Sequence, residues 1–256
     1  FQNFIQAFPT LSSLAKADIE EVLHRWSGLG YYARARNLHR SAQIIEKEYF
    51  GKFPQDLMQL QSLPGIGRTT AGAILALAFN KSASILDGNV KRVLTRVHAI
   101  PGSTALASVN KKLWSLAESY TPLNHQGIHY TQTMMDLGAL ICTRAQPKCI
   151  QCPLQTHCLA YLGKNPQAFP TPRPAKKIPS RATKMLILIN AQQEILLEKR
   201  PEMGIWGGLW SLPECPFTED ISDFCKQHYH CSAENPIQHT PFRHTFSHFH
   251  LEITPI

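Results

Sequence analysis

Apolar residues recur three and four positions apart along most of the first 164 residues, which is the pattern of amphipathic α-helices. Over residues 18–26, for example, the apolar side chains share one face of a helix, and Gly28 and Gly30 end it before the next helix begins. The same periodicity predicts further helices over residues 31–49, 54–62, 70–79, 90–100, 105–120 and 130–142.

The pattern changes after residue 164. Residues 165–184 are rich in proline and basic side chains and lack apolar periodicity, so they are predicted to form an extended linker. Residues 185–190 and 194–198 then read as a β-hairpin, 220–229 as a helix and 246–253 as a strand, and no strand is expected before residue 184. The predicted domains are therefore a mostly α part (1–164), the linker (165–184) and a smaller, incomplete α+β domain (185–256).

Charged residues are distributed unevenly between the first 184 residues and the rest of the chain. Residues 1–184 contain 22 Lys and Arg against 9 Asp and Glu, whereas residues 185–256 contain 4 against 9. A basic first part favours a polyanionic partner such as DNA, although a merely soluble basic surface would look the same.

The sequence has no apolar run near 18 residues and no signal-like start, so we expect a cytoplasmic protein without membrane association. We also expect a monomer. Because Phe1 falls inside an apparent helix, the chain looks truncated.

A glycine-containing turn separates the helices predicted over 54–62 and 70–79. It reads Leu63-Pro-Gly-Ile-Gly-Arg-Thr-Thr-Ala. Gly65 and Gly67 permit close backbone approach, and the amide groups at the start of the next helix suit a phosphate. An ordinary helix–turn–helix with a glycine cap fits the same residues.

A single carboxylate, Asp87, follows the apolar residues 83–86 and precedes the helix predicted over 90–100. One interpretation is a helix N-cap. The other is a catalytic carboxylate beside a DNA-bound turn, where its negative charge would stabilise a cationic sugar transition state.

Four of the seven cysteines are clustered, in the spacing Cys142-x6-Cys149-x2-Cys152-x5-Cys158. Four thiols this close in an intracellular chain indicate a metal centre rather than disulfides. Zinc sites usually pair two Cys-x2-Cys knuckles, and only one is present, so a [4Fe–4S] cluster is favoured over zinc. A structural role with DNA contacts from Arg144 and Lys148 is favoured over electron transfer. Cys215, Cys225 and Cys231 have no ligand-like spacing.

These motifs together resemble the MutY-type adenine DNA glycosylases of the helix-hairpin-helix superfamily. The resemblance rests on the Leu63–Ala71 turn, on Leu86-Asp-Gly-Asn-Val-Lys-Arg-Val, on the cysteine spacing and on Gly28-Leu-Gly-Tyr-Tyr-Ala-Arg-Ala-Arg. It implies that Asp87 is the catalytic carboxylate and Asn89 its hydrogen-bonding neighbour. The DNA-binding residues it implies are Tyr31, which would intercalate, and Leu63, Gly65, Gly67, Arg68 and Thr69 of the turn. By itself, Tyr31 also suits core packing.

The C-terminal part resembles the Nudix-like domain of the same enzymes. The segment Phe242-Arg-His-Thr-Phe-Ser-His-Phe-His matches the family loop that approaches 8-oxoguanine, which implies lesion recognition by Phe246, Ser247 and His248. The acidic helix of Nudix hydrolases is missing, so pyrophosphate hydrolysis is not expected.

The function that follows is removal of adenine mispaired with 8-oxoguanine or guanine in double-stranded DNA. An endonuclease-III-type lyase is the first alternative, but those enzymes need a lysine where this chain has Thr69. A non-catalytic lesion-binding protein is the second alternative.

Release of adenine requires a group that protonates the leaving base. The family uses a glutamate on a helix upstream of the residues present, and no glutamate of this chain matches it. We therefore expect these 256 residues to release adenine poorly compared with a chain extended at its N-terminus. A glycosylase assay on mismatched duplexes compares the two, and equal rates would contradict the expectation.

Overall fold

The computed structural model describes residues 1–123, 126–172 and 177–256. They form two compact units, one of Phe1–Ala17 with Arg34–Pro174 and the other of Asp18–Ala33 with Ala175–Ile256. Among the described residues, no helix is both long and apolar enough to cross a membrane. The predicted linker contributes residues to both units, so its extent as a separate segment stays a prediction.

The helices agree with the periodicity to within a few residues, except that the predicted helix 130–142 ends early, at Asp136, and gives way to a π-helical turn, Leu137–Ile141. The helices are α1 (Gln2–Ala7), α2 (Leu11–Lys16), α3 (Ile19–Arg25), α4 (Ala33–Glu48), α5 (Leu57–Ser62), α6 (Arg68–Phe79), α7 (Gly88–Val97), α8 (Ala107–Tyr120), α9 (Gly127–Asp136), α10 (Leu159–Leu162) and α11 (Ile221–Tyr229).

Helix α7 lies in the core of the first unit. Leu86 and Val90, on either side of its N-terminus, are buried with Val93 and Leu94 against α8 and α9. Burial of each such side chain contributes about 2 kcal/mol. The backbone around Asp87 is therefore held from both sides by the core. A second cluster, which includes Leu60, Leu63 and Leu75, packs α5 against α6.

The second unit contains a four-stranded sheet in the order β4-β1-β6-β5 and a two-stranded sheet of β2 and β3. Strands β1 and β6 are parallel, and β5 and β6 form an antiparallel hairpin. The bounds are β1 (Ser180–Met185), β2 (Glu198–Lys199), β3 (Trp210–Ser211), β4 (Glu214–Cys215), β5 (Phe242–Thr245) and β6 (His250–Pro255).

Three strand predictions need correction. Strand β1 begins at Ser180, inside the predicted linker, because residues 180–185 pair with β6. The expected hairpin over 185–198 is reduced to one bridge between Ile189 and Ile195. The expected strand 246–253 is interrupted, since residues 246–249 form the turn between β5 and β6. The turn is closed by the Phe246 N–H, which donates to the Phe249 carbonyl at 2.9 Å.

Candidate functional site

The turn between α5 and α6 is closed by the Ile66 N–H, which donates to the Leu63 carbonyl at 3.1 Å. Gly65 has φ +77°, and a Cβ there would lie 2.7 Å from Nδ2 of Asn37, so both conformation and space require glycine. Gly67 is the N-cap of α6 and leaves its first amide groups without a side-chain cap. This geometry agrees with the phosphate-binding interpretation of the turn.

Two side chains of the turn, those of Leu63 and Arg68, make contacts within the protein. The Leu63 side chain is buried in the core, which leaves its backbone for the predicted DNA contact, and that contact stays a prediction. The guanidinium of Arg68 pairs with Glu118 and lies 4.0 Å from the ring centre of Trp114. Both Arg68 and Glu118 line a cavity of about 290 Å³. The Arg68 side chain is therefore held against α8 beside an open concavity.

Asp87 is the N-cap of α7, as one interpretation of the sequence predicted. Its Oδ1 accepts a hydrogen bond from the Val90 N–H at 2.8 Å. The preceding Leu86 N–H donates to the hydroxyl of Thr69 at 3.4 Å, which links the cap to the first turn of α6. Asp87 itself is half-buried. The backbone that carries this carboxylate is thus linked to the first turn of α6, although Asp87 does not line the cavity beside Arg68.

Asn89 does not hydrogen-bond to Asp87 within the described structure, which corrects the expected pairing. Its Oδ1 instead accepts from Nη2 of Arg92 at 2.9 Å, one helical turn later. Arg92 also donates to the carbonyls of Gly138 and Cys142, at 2.6 and 2.7 Å. Burial lowers the pKa of Arg92, while the charges of Cys142 and Asp87 act in the opposite direction. Arg92 therefore lies in the electrostatic field of both the N-cap and the cysteine loop.

Arg96 lies one turn further along α7 and is only 2% exposed. Its guanidinium donates to the carbonyls of Thr143, Arg144 and Phe169 at 2.7 to 2.9 Å, and it lies 3.3 Å from the sulfur of Cys142. The thiol of Cys158 in turn contacts the Arg96 carbonyl at 3.5 Å. Sequence reasoning missed both arginines, because their partners lie 46 to 73 residues away.

The four clustered cysteines line one cavity together with Arg96 and Lys148. Burial raises the pKa of the Cys149 thiol, and Cys142, Cys158 and Cys152 raise it further, so the four groups are electrostatically close. Within the described ranges, no three Cys, His, Asp or Glu side chains gather tightly enough for a single metal ion. Four sulfurs around one cavity are the ligand set that the predicted cluster would require.

Tyr31 belongs to the second unit and follows the turn at the end of α3. Gly28 and Gly30 adopt φ +84° and +64°, and Trp26 Nε1 donates to the Gly30 carbonyl at 3.1 Å. Tyr31 itself has φ +48°, and 73% of its surface is exposed. The core-packing interpretation of this tyrosine is therefore wrong, because most of its side chain is exposed to solvent.

Phe246, Ser247 and His248 occupy the tip of the β5–β6 hairpin. Ser247 and His248 are exposed, and the hydroxyl of Ser247 lies 3.4 Å from Nδ1 of His248. Phe246 is half-buried and stacks on Phe249 with ring centres 4.7 Å apart. A cavity of about 710 Å³ elsewhere in this unit is lined by none of these three residues.

Comparisons with known proteins identify two regions of the chain. Residues 1–119 match the family described as HhH-GPD superfamily base excision DNA repair protein, and residues 184–256 match the NUDIX domain family. The adenine DNA glycosylase of Buchnera aphidicola subsp. Acyrthosiphon pisum is 42% identical, over all of this chain and 72% of its own length. The chain belongs to the adenine DNA glycosylase family. The human adenine DNA glycosylase is 34% identical over 83% of this chain and 47% of its own length.

Solved structures support the same fold for this adenine DNA glycosylase family member. A thermostable thymine-DNA glycosylase superimposes with a TM-score of 0.56 at 27% identity, over 63% of this chain and 74% of that chain. A non-covalent endonuclease III–DNA complex gives a TM-score of 0.55 at 25% identity, over 64% and 74%. The predicted fold class, helical glycosylase part plus Nudix-like domain, is confirmed.

The contacts of Arg96 predict that the substitution Arg96→Met lowers the stability of the protein and loosens the cysteine loop. The substitution keeps the apolar stem but leaves three carbonyl groups without their donor, so we expect a loss of about 2 kcal/mol. The expected melting temperature falls by about 5 °C. Hydrogen exchange should rise over residues 142–158. Arg144→Met, which removes an exposed arginine from the same loop, is the control. Equal behaviour of the two variants would contradict the role of Arg96.

Proposed function

We propose that this protein binds double-stranded DNA as a monomer and removes adenine mispaired with 8-oxoguanine or guanine, by hydrolysing the N-glycosidic bond. Family membership supports the reaction class, base excision by a DNA glycosylase. The observation that carries the assignment of chemistry is the position of Asp87, which caps α7 and is joined through Leu86 to Thr69 of the glycine turn.

Asp87 suits stabilisation of a positively charged sugar. Cleavage of an N-glycosidic bond develops oxocarbenium character, and a fixed carboxylate nearby stabilises that charge without reorganising. Oδ1 is engaged by the Val90 N–H, and in the described part of the chain Oδ2 has no hydrogen-bond partner. One oxygen therefore orients the group while the other is available to the sugar.

DNA binding is proposed for the glycine turn and for Tyr31. The uncapped amide groups at the start of α6 offer donors to a phosphate, and Gly65 and Gly67 let the strand approach the backbone. Tyr31 carries an exposed ring that fits insertion between bases, which a base-flipping enzyme requires. The excess of Lys and Arg over residues 1–184 supplies the non-specific attraction.

A [4Fe–4S] cluster held by Cys142, Cys149, Cys152 and Cys158 is the proposed cofactor. Bound there, it would crosslink the loop, whose backbone is already fixed by Arg96. Arg144 and Lys148 in this loop are exposed, which supports a role for them in contacting DNA phosphates. The role is structural, since the loop residues explain binding without electron transfer.

Recognition of 8-oxoguanine is proposed for the tip of the β5–β6 hairpin. Ser247 and His248 present exposed hydrogen-bonding groups, and the Phe246 ring offers a face for stacking. Nothing in this role requires the metal-binding glutamates of Nudix hydrolases.

Asp87→Asn tests the carboxylate. Asparagine caps a helix as well as aspartate, so we expect an unchanged melting temperature. Loss of the negative charge should slow adenine release by about 100-fold or more. Single-turnover kinetics on an A:8-oxoguanine duplex, in the N-terminally extended chain, measure the rate. Asp136→Asn serves as the matched control, because Asp136 is exposed and accepts a hydrogen bond from Gln132. Equal rates for wild type and Asp87→Asn would refute the assignment.

Iron and sulfide analysis tests the cluster. We expect about four of each per chain, with a clear loss in Cys149→Ser. Cys231→Ser, which changes an exposed thiol outside the loop, should retain the wild-type content. Stoichiometric zinc without iron would overturn the cofactor assignment.

A further inference from the structure

Trp206 has a backbone conformation that is rare for a bulky residue. Its φ is +53°, in the left-handed region, between Gly204 at φ +104° and Gly208 at φ +73°. A Cβ on the adjacent Gly207 would lie 2.2 Å from the Glu202 carbonyl oxygen, so the loop closes tightly around this tryptophan. A bulky residue keeps such a backbone conformation only where its surroundings fix it, and residues of this kind concentrate at functional sites.

Arg200 fixes the loop that carries Trp206. Its Nε donates to the carbonyl of Ile205 at 2.9 Å, and its Nη1 pairs with Glu214 at 2.6 Å. The Arg200 guanidinium also lies 5.7 Å from the Trp206 ring centre. Because the Gly208 N–H donates back to the Arg200 carbonyl at 3.2 Å, both ends of the loop are tied to one residue.

The Trp206 ring is directed at the hairpin tip. Its centre lies 5.2 Å from that of Phe246 in an edge-to-face arrangement, and 5.5 Å from that of His244. His244 meets Phe246 edge-on at 4.4 Å, and Phe249 stacks beneath it at 4.7 Å. The ring centre of His248 lies 6.4 Å from that of Phe246, so four rings surround Phe246, and Trp206 is the one supplied by another loop.

We propose that Trp206 is a positioning residue for lesion recognition, which holds the Phe246 ring and hence the Ser247–His248 tip in the orientation that meets 8-oxoguanine. The inference rests on the function proposed above for this tip. It adds a specificity determinant that does not itself touch the lesion. Core packing of Trp206 alone would stabilise the unit without affecting discrimination between 8-oxoguanine and guanine.

Binding measurements separate these two roles. The probes are two fluorescent duplexes with a non-hydrolysable abasic analogue, placed opposite 8-oxoguanine in one and opposite guanine in the other, so that no catalysis is needed. We expect Trp206→Leu to reduce the preference for 8-oxoguanine by about tenfold, since edge-on aromatic contacts are lost. Trp206→Phe, which keeps an aromatic ring, should retain most of the preference. Trp210→Leu removes a tryptophan that is 56% exposed in β3 and should leave the preference unchanged.

A double-mutant cycle tests whether Trp206 acts through Phe246. If it does, Trp206→Leu has no further effect on the preference in a Phe246→Leu background. Fully additive losses, or a wild-type preference in Trp206→Leu with native circular dichroism, would overturn the inference while the proposed lesion contact stands. A wild-type protein that binds both duplexes equally would overturn the proposed lesion contact itself, and the inference with it.

Discussion

Helix α7 is the physical connection on which the helical unit depends. Asp87 caps its first turn, and Arg92 and Arg96 on the following turns bind the loop that contains the cysteines. Over this distance the helix rises about 14 Å. A buried guanidinium such as Arg96 requires acceptors, and the folded cysteine loop supplies them. The Asp87 carboxylate and the cysteine loop are consequently held by different turns of the same helix.

What the sequence predicted well is what local chemistry determines. Helical periodicity and the glycine turn each arise within a few tens of residues, and each has a local physical cause, in helix amphipathicity or in left-handed φ at Gly65. The cysteine spacing is equally local, and the cluster that it indicates stays a prediction. The N-cap at Asp87 is local in the same sense. These features were sufficient for the fold class and for the family.

The features that the sequence did not reveal depend on contacts between residues that are far apart in the chain. Arg92 and Arg96 look like ordinary basic residues on an amphipathic helix until the carbonyls of Gly138 and Phe169 are placed beside them. Leu63 was predicted to bind DNA because it stands in the glycine motif, and the sequence did not show that α5 and α6 bury its side chain in their core. The start of β1 at Ser180 was hidden because its pairing partner, β6, lies some 70 residues later.

Capping and catalysis by Asp87 are compatible, and the cap favours the proposed chemistry. The carboxylate lies at the positive end of α7, and its negative charge is what would interact with a sugar cation. The bond from the Val90 N–H removes rotational freedom from the side chain, so less ordering remains to be done when DNA binds. Because Leu86 and Val90 are buried, the backbone that carries this carboxylate cannot shift without disrupting the core. The residue types that make a well-capped helix therefore also suit the catalytic role proposed for Asp87.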